Sequence, residues 1–347
     1  MVLRNSSLFN RGGFEMTLFF ENVYINNTST ISGPYEKNGP LREYFDKSYD
    51  DLYIGEDSWE KAEVQLVRDC FSTLLHKIKK KREDIELTIG GDLLNQITAS
   101  VYGSSGVGNG FIGIYGACST SVLGLIIASS MIDAGQVGNA ICFTSSHNMS
   151  SEKQFRYPTE YGSLRPNSST FTATGSAACF LSSQESSVRV ECATLGRIVD
   201  FEQNDPNDMC RVMAPSAIDT LTRHFEDTGR SAEDYDLILT GDLGKYGLEI
   251  VKDYMVEQYQ IELDHYNDCG VMLYDLEKQI DIKAGGSGPV CSALVIYSYI
   301  YSLLKEGKIK RVLFLATGAL FSPTMIYQKQ NIPSICHAIS LEANSCI

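Results

Sequence analysis

Positive charge is scarce in this chain: 29 Lys and Arg stand against 43 Asp and Glu, a net charge of -14 over 347 residues and a pI of about 4.8. Such a surface repels phosphate backbones, which argues against nucleic acid as a partner and against broad adhesion to anionic lipid. The basic stretch Lys77 to Arg82 reads as a solvated helix end. Close cysteine pairs are also lacking. No two of the ten cysteines stand nearer than ten residues, which excludes C-x-x-C zinc and redox motifs. Most lie in apolar runs, where a reduced cysteine acts as a small hydrophobe, as expected in a reducing compartment. Long apolar runs are missing too. Val122 to Ile132 is too short to span a bilayer, and Val290 to Leu304 is interrupted by Ser292, Ser298, Ser302 and three tyrosines. Both read as helices buried on all sides. Met1 to Phe20 has no continuous apolar core and no small-residue cleavage site, so neither a signal peptide nor a transmembrane helix is expected.

What the chain does contain is an internal duplication. Residues 82–93 (Arg-Glu-Asp-Ile-Glu-Leu-Thr-Ile-Gly-Gly-Asp-Leu) match residues 232–243 (Ala-Glu-Asp-Tyr-Asp-Leu-Ile-Leu-Thr-Gly-Asp-Leu) at an offset of 150. Residues 134–143 match 306–315 at an offset of 172, so about 22 extra residues lie between the paired elements of the second half. Each half alternates helix and strand, which implies mostly parallel sheets covered by helices. The first long helix is expected to start with Asp57 as its cap and to bury Trp59, Ala62, Leu66, Phe71, Leu74, Leu75 and Ile78. Two all-apolar central helices, one per half, must bury each other. The division expected is an N-terminal extension (1–17), a first half (18–190) and a second half (191–347).

Gly116-Ala117-Cys118-Ser119-Thr120-Ser121 follows the apolar strand Phe111 to Tyr115 and opens the first buried helix. A sharp strand-to-helix turn exposes the sulfur, the helix N-terminus favours thiolate, and nearby N–H groups can hold an anion. The alternative is a buried structural cysteine. This turn within a duplicated α/β plan resembles the thiolase and ketoacyl-synthase superfamily, whose layered αβαβα fold is then expected here. The resemblance makes Cys118 an acyl-carrying nucleophile and implies two His or Asn partners in the second half. The matching stretches read Leu239-Thr240-Gly241-Asp242-Leu243 and Ala284-Gly285-Gly286-Ser287-Gly288, with neither residue type. Histidine occurs only at 76, 147, 224, 265 and 337. Condensation needs a proton acceptor and donors to an oxyanion, so loss of catalysis is expected. No cofactor is expected.

Further stretches narrow the resemblance: Gly33-Pro34, Lys37-Asn38-Gly39-Pro40-Leu41, Gly91-Asp92-Leu93-Leu94-Asn95-Gln96, Thr144-Ser145-Ser146-His147-Asn148, Gln154 to Gly162, Met213-Ala214-Pro215, Ala316 to Leu320 and Ser322 to Ile326. Together with the cysteine turn they are similar to the stage V sporulation protein AD family over about residues 18–340. The resemblance implies binding of dipicolinic acid (pyridine-2,6-dicarboxylate), with calcium entering only as the ligand's chelate. It also implies a peripheral place at the spore inner membrane, with the other membrane subunits of the stage V sporulation A machinery as partners, and a homodimer paired near Ile141 to Thr144. A planar dianion calls for donors beside an apolar slot. Cys118, Ser119 and Thr120, then His147, Gln154, Arg156 and Tyr157, and the turn residues Gly286 and Ser287, are the candidates. Arg156 equally fits a surface ion pair with Glu160, and His147 a structural hydrogen bond. Asp92 and Asp242 read first as caps of their own turns and second as calcium ligands. The remaining alternatives are an acyltransferase using Cys118 and a scaffold that binds nothing.

Overall fold

Helices and strands alternate through both halves as the duplication requires. The computed structural model describes residues 16–108, 110–155 and 165–344. The first half runs β1 (Thr17–Phe19), β2 (Tyr24–Ser32), α1 (Pro34–Lys37), β3 (Lys47–Ser48), α2 (Trp59–Ile78), β4 (Leu87–Gly91), α3 (Thr98–Gly103), β5 (Gly110–Gly113), α4 (Thr120–Asp133), β6 (Asn139–Ser146), α5 (Asn148–Phe155), β7 (Phe171–Thr172) and β8 (Gly175–Ser182). The second runs β9 (Val188–Thr194), α6 (Met209–Thr228), β10 (Leu237–Thr240), α7 (Gly244–Tyr254), β11 (Tyr266–Asp268), α8 (Cys269–Met272), β12 (Gly286–Ser287), α9 (Pro289–Val295), α10 (Tyr301–Lys305), β13 (Arg311–Ala319), α11 (Pro323–Tyr327) and β14 (Ser334–Ala343).

Five strands of each half form equivalent sheets, β5-β4-β6-β8-β2 and β11-β10-β13-β14-β9. In both, the first three strands are parallel and the last two antiparallel to their neighbours. Tyr24 and Ile25 of β2 pair with Arg189 and Val188 of β9 and join the two sheets. β1 also pairs with β9, so the segment at the expected start of the first half extends the second sheet. The division expected at 190/191 falls inside β9.

Between the sheets lie α4 and the run from α9 through a π-helical turn at Ile296–Ile300 into α10. Val122, Leu125, Ile126 and Ile132 from α4 and Val290, Leu294, Val295 and Ile300 from the second run share one core. Burying each such side chain contributes roughly 2 kcal/mol. The outer faces are covered by α2 on one side and by α6 and α7 on the other. The helix α2 is capped by Ser58, whose hydroxyl accepts from Lys61 N at 3.3 Å. Asp57, expected in that place, pairs instead with the Lys61 ammonium at 2.8 Å. Ile141 to Thr144 lies in β6, which β4 and β8 flank on both sides. It cannot be the pairing edge, because its backbone groups are already engaged.

Candidate functional site

The turn after β5 is held by its own hydroxyls. Ser119 Oγ donates to Gly116 O at 2.6 Å. Thr120 Oγ1 donates to Ala117 O at 2.7 Å and accepts from Gly116 N at 3.1 Å. These bonds fix Ala117 at φ +49°, a conformation that costs an alanine about 1 kcal/mol or more and that clusters at functional turns. Cys118 is left half-buried beside them. Gly318 of β13 closes over the turn. A Cβ there would lie 2.4 Å from Gly116 O, so only glycine lets the second half pack this tightly on the first.

Across from the sulfur stands the start of α9. Ser287 Oγ is 4.0 Å from Cys118 Sγ. Behind both lies Asp242, fully buried. Its Oδ2 accepts from Ser287 Oγ and from Gly288 N, each at 3.1 Å, and its Oδ1 accepts from Thr317 Oγ1 at 2.9 Å. The charge of the same carboxyl reaches the Cys118 thiol and opposes its ionisation. Asp242 was expected to cap its own turn. Instead it reaches into the other turn, where Gly288 opens α9 at φ +94°. The cap of 243–244 is Asp268, which accepts from Leu243 N (2.8 Å), Gly244 N (2.9 Å) and Thr240 Oγ1 (2.7 Å). Sequence reasoning missed Asp268 because it ends β11 at the place where β5 of the first half ends in Gly113, so the duplication carries no matching acid.

Burial pushes the Cys118 thiol well above the usual range, and the Asp242 carboxylate pushes it further. The lowering expected from the helix end is thereby overturned. Burial raises Asp242 as well, opposed by the hydrogen bonds it accepts. Asp268 is pushed up to about 6, first by burial and then by opposition from Asp242.

Cys118 and Ser287 form the floor of a cleft of about 650 Å³ including its open mouth. Its walls are Leu93, Tyr115, Phe155, Met209, Met213 and Phe321, with Thr170, Thr172 and Glu152 at the side. Phe155 and Phe321 face each other with ring centroids 5.5 Å apart. Glu152 pairs with Arg165 at 2.5 Å. A wider groove continues outward over Gln96, Ile97, Gln154 and Pro323. Apolar walls and a few convergent polar groups suit a small planar organic ligand.

The structure brings Cys118, Ser287 and Asp242 together, with Gly286 next to them on β12. Ser119 and Thr120 are buried in the turn and do not line the cleft. His147 stands away from it, fully buried: Nε2 bonds Leu52 O at 2.7 Å and Nδ1 accepts from Met149 N at 3.2 Å. Asp92 holds its own turn and the start of α3, accepting from Leu94 N (2.8 Å), Ser100 N (2.7 Å) and Ser100 Oγ (2.7 Å). Gln154 lines the outer groove. His337 accepts from Gly196 N at 3.1 Å and is also absent from the cleft's lining. Arg156 and Tyr157 lie outside the described residues. Phe155, Phe321, Met209 and Met213 were not foreseen as walls. Phe155 and Met213 do fall within the stretches that carried the family resemblance.

The family model for Stage V sporulation protein AD (SpoVAD) matches residues 14–342. Stage V sporulation protein AD of Bacillus subtilis (strain 168) is 45% identical over 331 residues, covering 95% of this chain and 97% of that protein. Among solved structures, a glutamate-to-glutamine variant of Xanthomonas campestris OleA superposes with a TM-score of 0.57 at 17% identity, covering 94% of this chain and 98% of that one. A cysteine-to-alanine OleA variant gives the same TM-score, identity and coverages. A histidine-to-asparagine OleA variant crystallised with cerulenin gives 0.56 at 17% identity, with coverages of 94% and 98%. These likenesses show a thiolase-like fold.

Proposed function

The chain belongs to the stage V sporulation protein AD family, and from that premise we propose that this sporulation protein binds dipicolinic acid in the Cys118 cleft without acting as an enzyme. The observation that carries the reading is the buried Asp242 carboxyl behind Cys118 and Ser287, held by Ser287 Oγ, Gly288 N and Thr317 Oγ1. A nucleophilic thiol needs a base that takes its proton and donors for an oxyanion. Here the carboxyl holds the thiol in its protonated form and itself engages Gly288 N–H, a donor such an oxyanion would need. What remains usable is a slot between aromatic and methionine walls, with hydroxyl and thiol groups at its floor. As family membership implies, the protein would serve at the spore inner membrane as a peripheral subunit of the stage V sporulation A machinery. Among the described residues no helix is long and apolar enough to cross a membrane, which supports the peripheral part of this reading. Calcium would enter with the ligand as its chelate.

Titration calorimetry with dipicolinate tests the binding. The wild type should release or absorb heat with one site per chain, and Phe321→Ala should weaken binding about tenfold through loss of a wall. No binding heat in the wild type ends the proposal. Turnover of an acyl-CoA with acylation at Cys118 would establish the acyltransferase reading instead.

A further inference from the structure

The floor of the cleft is made of donors that are already engaged. Ser287 lines the cleft and donates its hydroxyl hydrogen to Asp242 at 3.1 Å, and the Cys118 thiol beside it faces the charge of the same carboxyl. Glu152 is the one charged side chain among the described lining residues, and it is an acid. Glu152 is already paired with Arg165, so a ligand carboxylate at the floor would meet the charge of Asp242 behind it, with the Ser287 hydroxyl hydrogen turned away.

The groups around Asp242 leave few ways to change this. Cys118 faces it from the turn before α4, Ser287 and Gly288 from β12 and the start of α9, and Thr317 from β13. Asp268 and Cys269 lie on the side of β11 and α8, Cys291 on α9 and Cys336 on β14. Asp268 is the other charged group in this set, and its oxygens hold Thr240 Oγ1 and the N–H groups of 243, 244 and 270. No cation stands in the set, so a proton is the simplest positive charge that can arrive with an anion.

We propose that binding of a carboxylate ligand in this cleft takes up one proton at Asp242 and thereby turns Ser287 from a donor to Asp242 into a donor to the ligand. The proton comes from solvent. Asp242 Oδ2 gains it and donates to Ser287 Oγ, whose own hydrogen swings to the ligand carboxylate. Gly288 N–H and Thr317 O–H keep their bonds to Asp242. The Cys118 thiol, no longer facing a charged acceptor, turns to the cleft in the same way. This deepens the proposed function and rests on the cleft being the acid-binding site.

Calorimetry with dipicolinate tests it, in EDTA and in two buffers of different ionisation enthalpy at the same pH. The difference in heat gives the protons taken up per ligand. The wild type should take up about one, and its affinity should fall by about tenfold per pH unit as pH rises. Asp242→Asn should take up none and bind with a flat pH profile. Ser287→Ala should still take up the proton but bind about tenfold more weakly, having lost the donor. Binding by the wild type without proton uptake overturns the proposal and leaves the proposed function intact. So does uptake that persists in Asp242→Asn, which would put the proton on the ligand. Should Asp242→Asn fail to fold, wild-type affinity in Ser287→Ala overturns it equally. Binding that requires added calcium and takes up no proton would place a metal where the proposal places the proton. No binding heat at any pH, with or without calcium, would end both this proposal and the function it rests on.

Discussion

A thiol buried beside a carboxylate is a poor nucleophile, because burial and the neighbouring negative charge both favour the protonated form. Cys118 is in that position, and Asp242 is the cause that a single substitution can remove. Asp242→Asn deletes the opposing charge and leaves an amide of similar size. The thiol should then ionise more readily, and iodoacetamide should label Cys118 roughly tenfold faster at neutral pH, one unit of pKa being tenfold in thiolate. Peptide mapping by mass spectrometry separates this cysteine from the others, and the pH–rate profile should shift to lower pH. An unchanged profile would mean that burial alone suppresses the thiol. The residues of the turn were legible in the sequence because Gly-Ala-Cys-Ser-Thr-Ser is local information. The direction of the Asp242 side chain was not. It depends on where α9 begins, 46 residues further on, and on Thr317 in β13.

Short elements tie the halves together as much as long ones do. Helix α1 is four residues long, yet its Glu36 is fully buried between the halves. Its Oε1 accepts from Thr174 N of the first half at 3.0 Å and from the Tyr274 hydroxyl of the second, while Oε2 has no partner. Burial lifts this carboxyl from 4.5 to about 7. The folded chain therefore holds the proton more tightly than the unfolded one. The stabilisation is complete below pH 4.5 and is lost as pH rises through 7, a change of roughly 3 kcal/mol. Glu63, raised by burial and by Asp92, has the same sign. Glu191, held at about 2 by Arg230, Ser340 and Arg311, titrates below this window and does not offset it. Buried His224 and His337, pushed down to about 4 by burial, act in the opposite sense over this range, so Glu36 is read by comparing wild type with Glu36→Gln. Going from pH 8 to pH 5 by denaturant unfolding, Glu36→Gln should gain about 2.5 kcal/mol less stability than the wild type, since the amide keeps the Oε1 bonds and cannot ionise. Equal pH slopes in the two proteins would show that Glu36 is not the group responsible. Glu36 drew no notice in the sequence, where Pro-Tyr-Glu-Lys reads as a solvated turn. Its burial is a property of two halves closing on it.

The architecture was visible in the sequence because a duplication states each element twice: α2 and α6 both run 20 residues at an offset of 150, and β4 matches β10. The order of strands across a sheet is not repeated in that way, and so the pairing edge was misjudged. With β6 in the interior, the sheet of the first half ends at β5 among the described residues. Gly110 N and Ile114 N bond Glu86 O and Gly90 O on β4. By the alternation of a strand the N–H groups of Phe111 and Gly113 then face outward. Phe111 and Tyr115 beside them are 42% and 48% exposed. An uncovered edge flanked by aromatic rings is a template for another strand, and antiparallel pairing of two β5 edges is the isologous contact a two-fold dimer uses. A homodimer is therefore expected through β5. Sedimentation should give twice the chain mass of 38.4 kDa. Phe111→Pro removes one outward N–H and one ring without touching the ladder to β4, as proline is tolerated on an edge. That variant should sediment as a monomer with its thermal unfolding little changed. A Phe111→Pro protein that remains dimeric would move the interface to another surface.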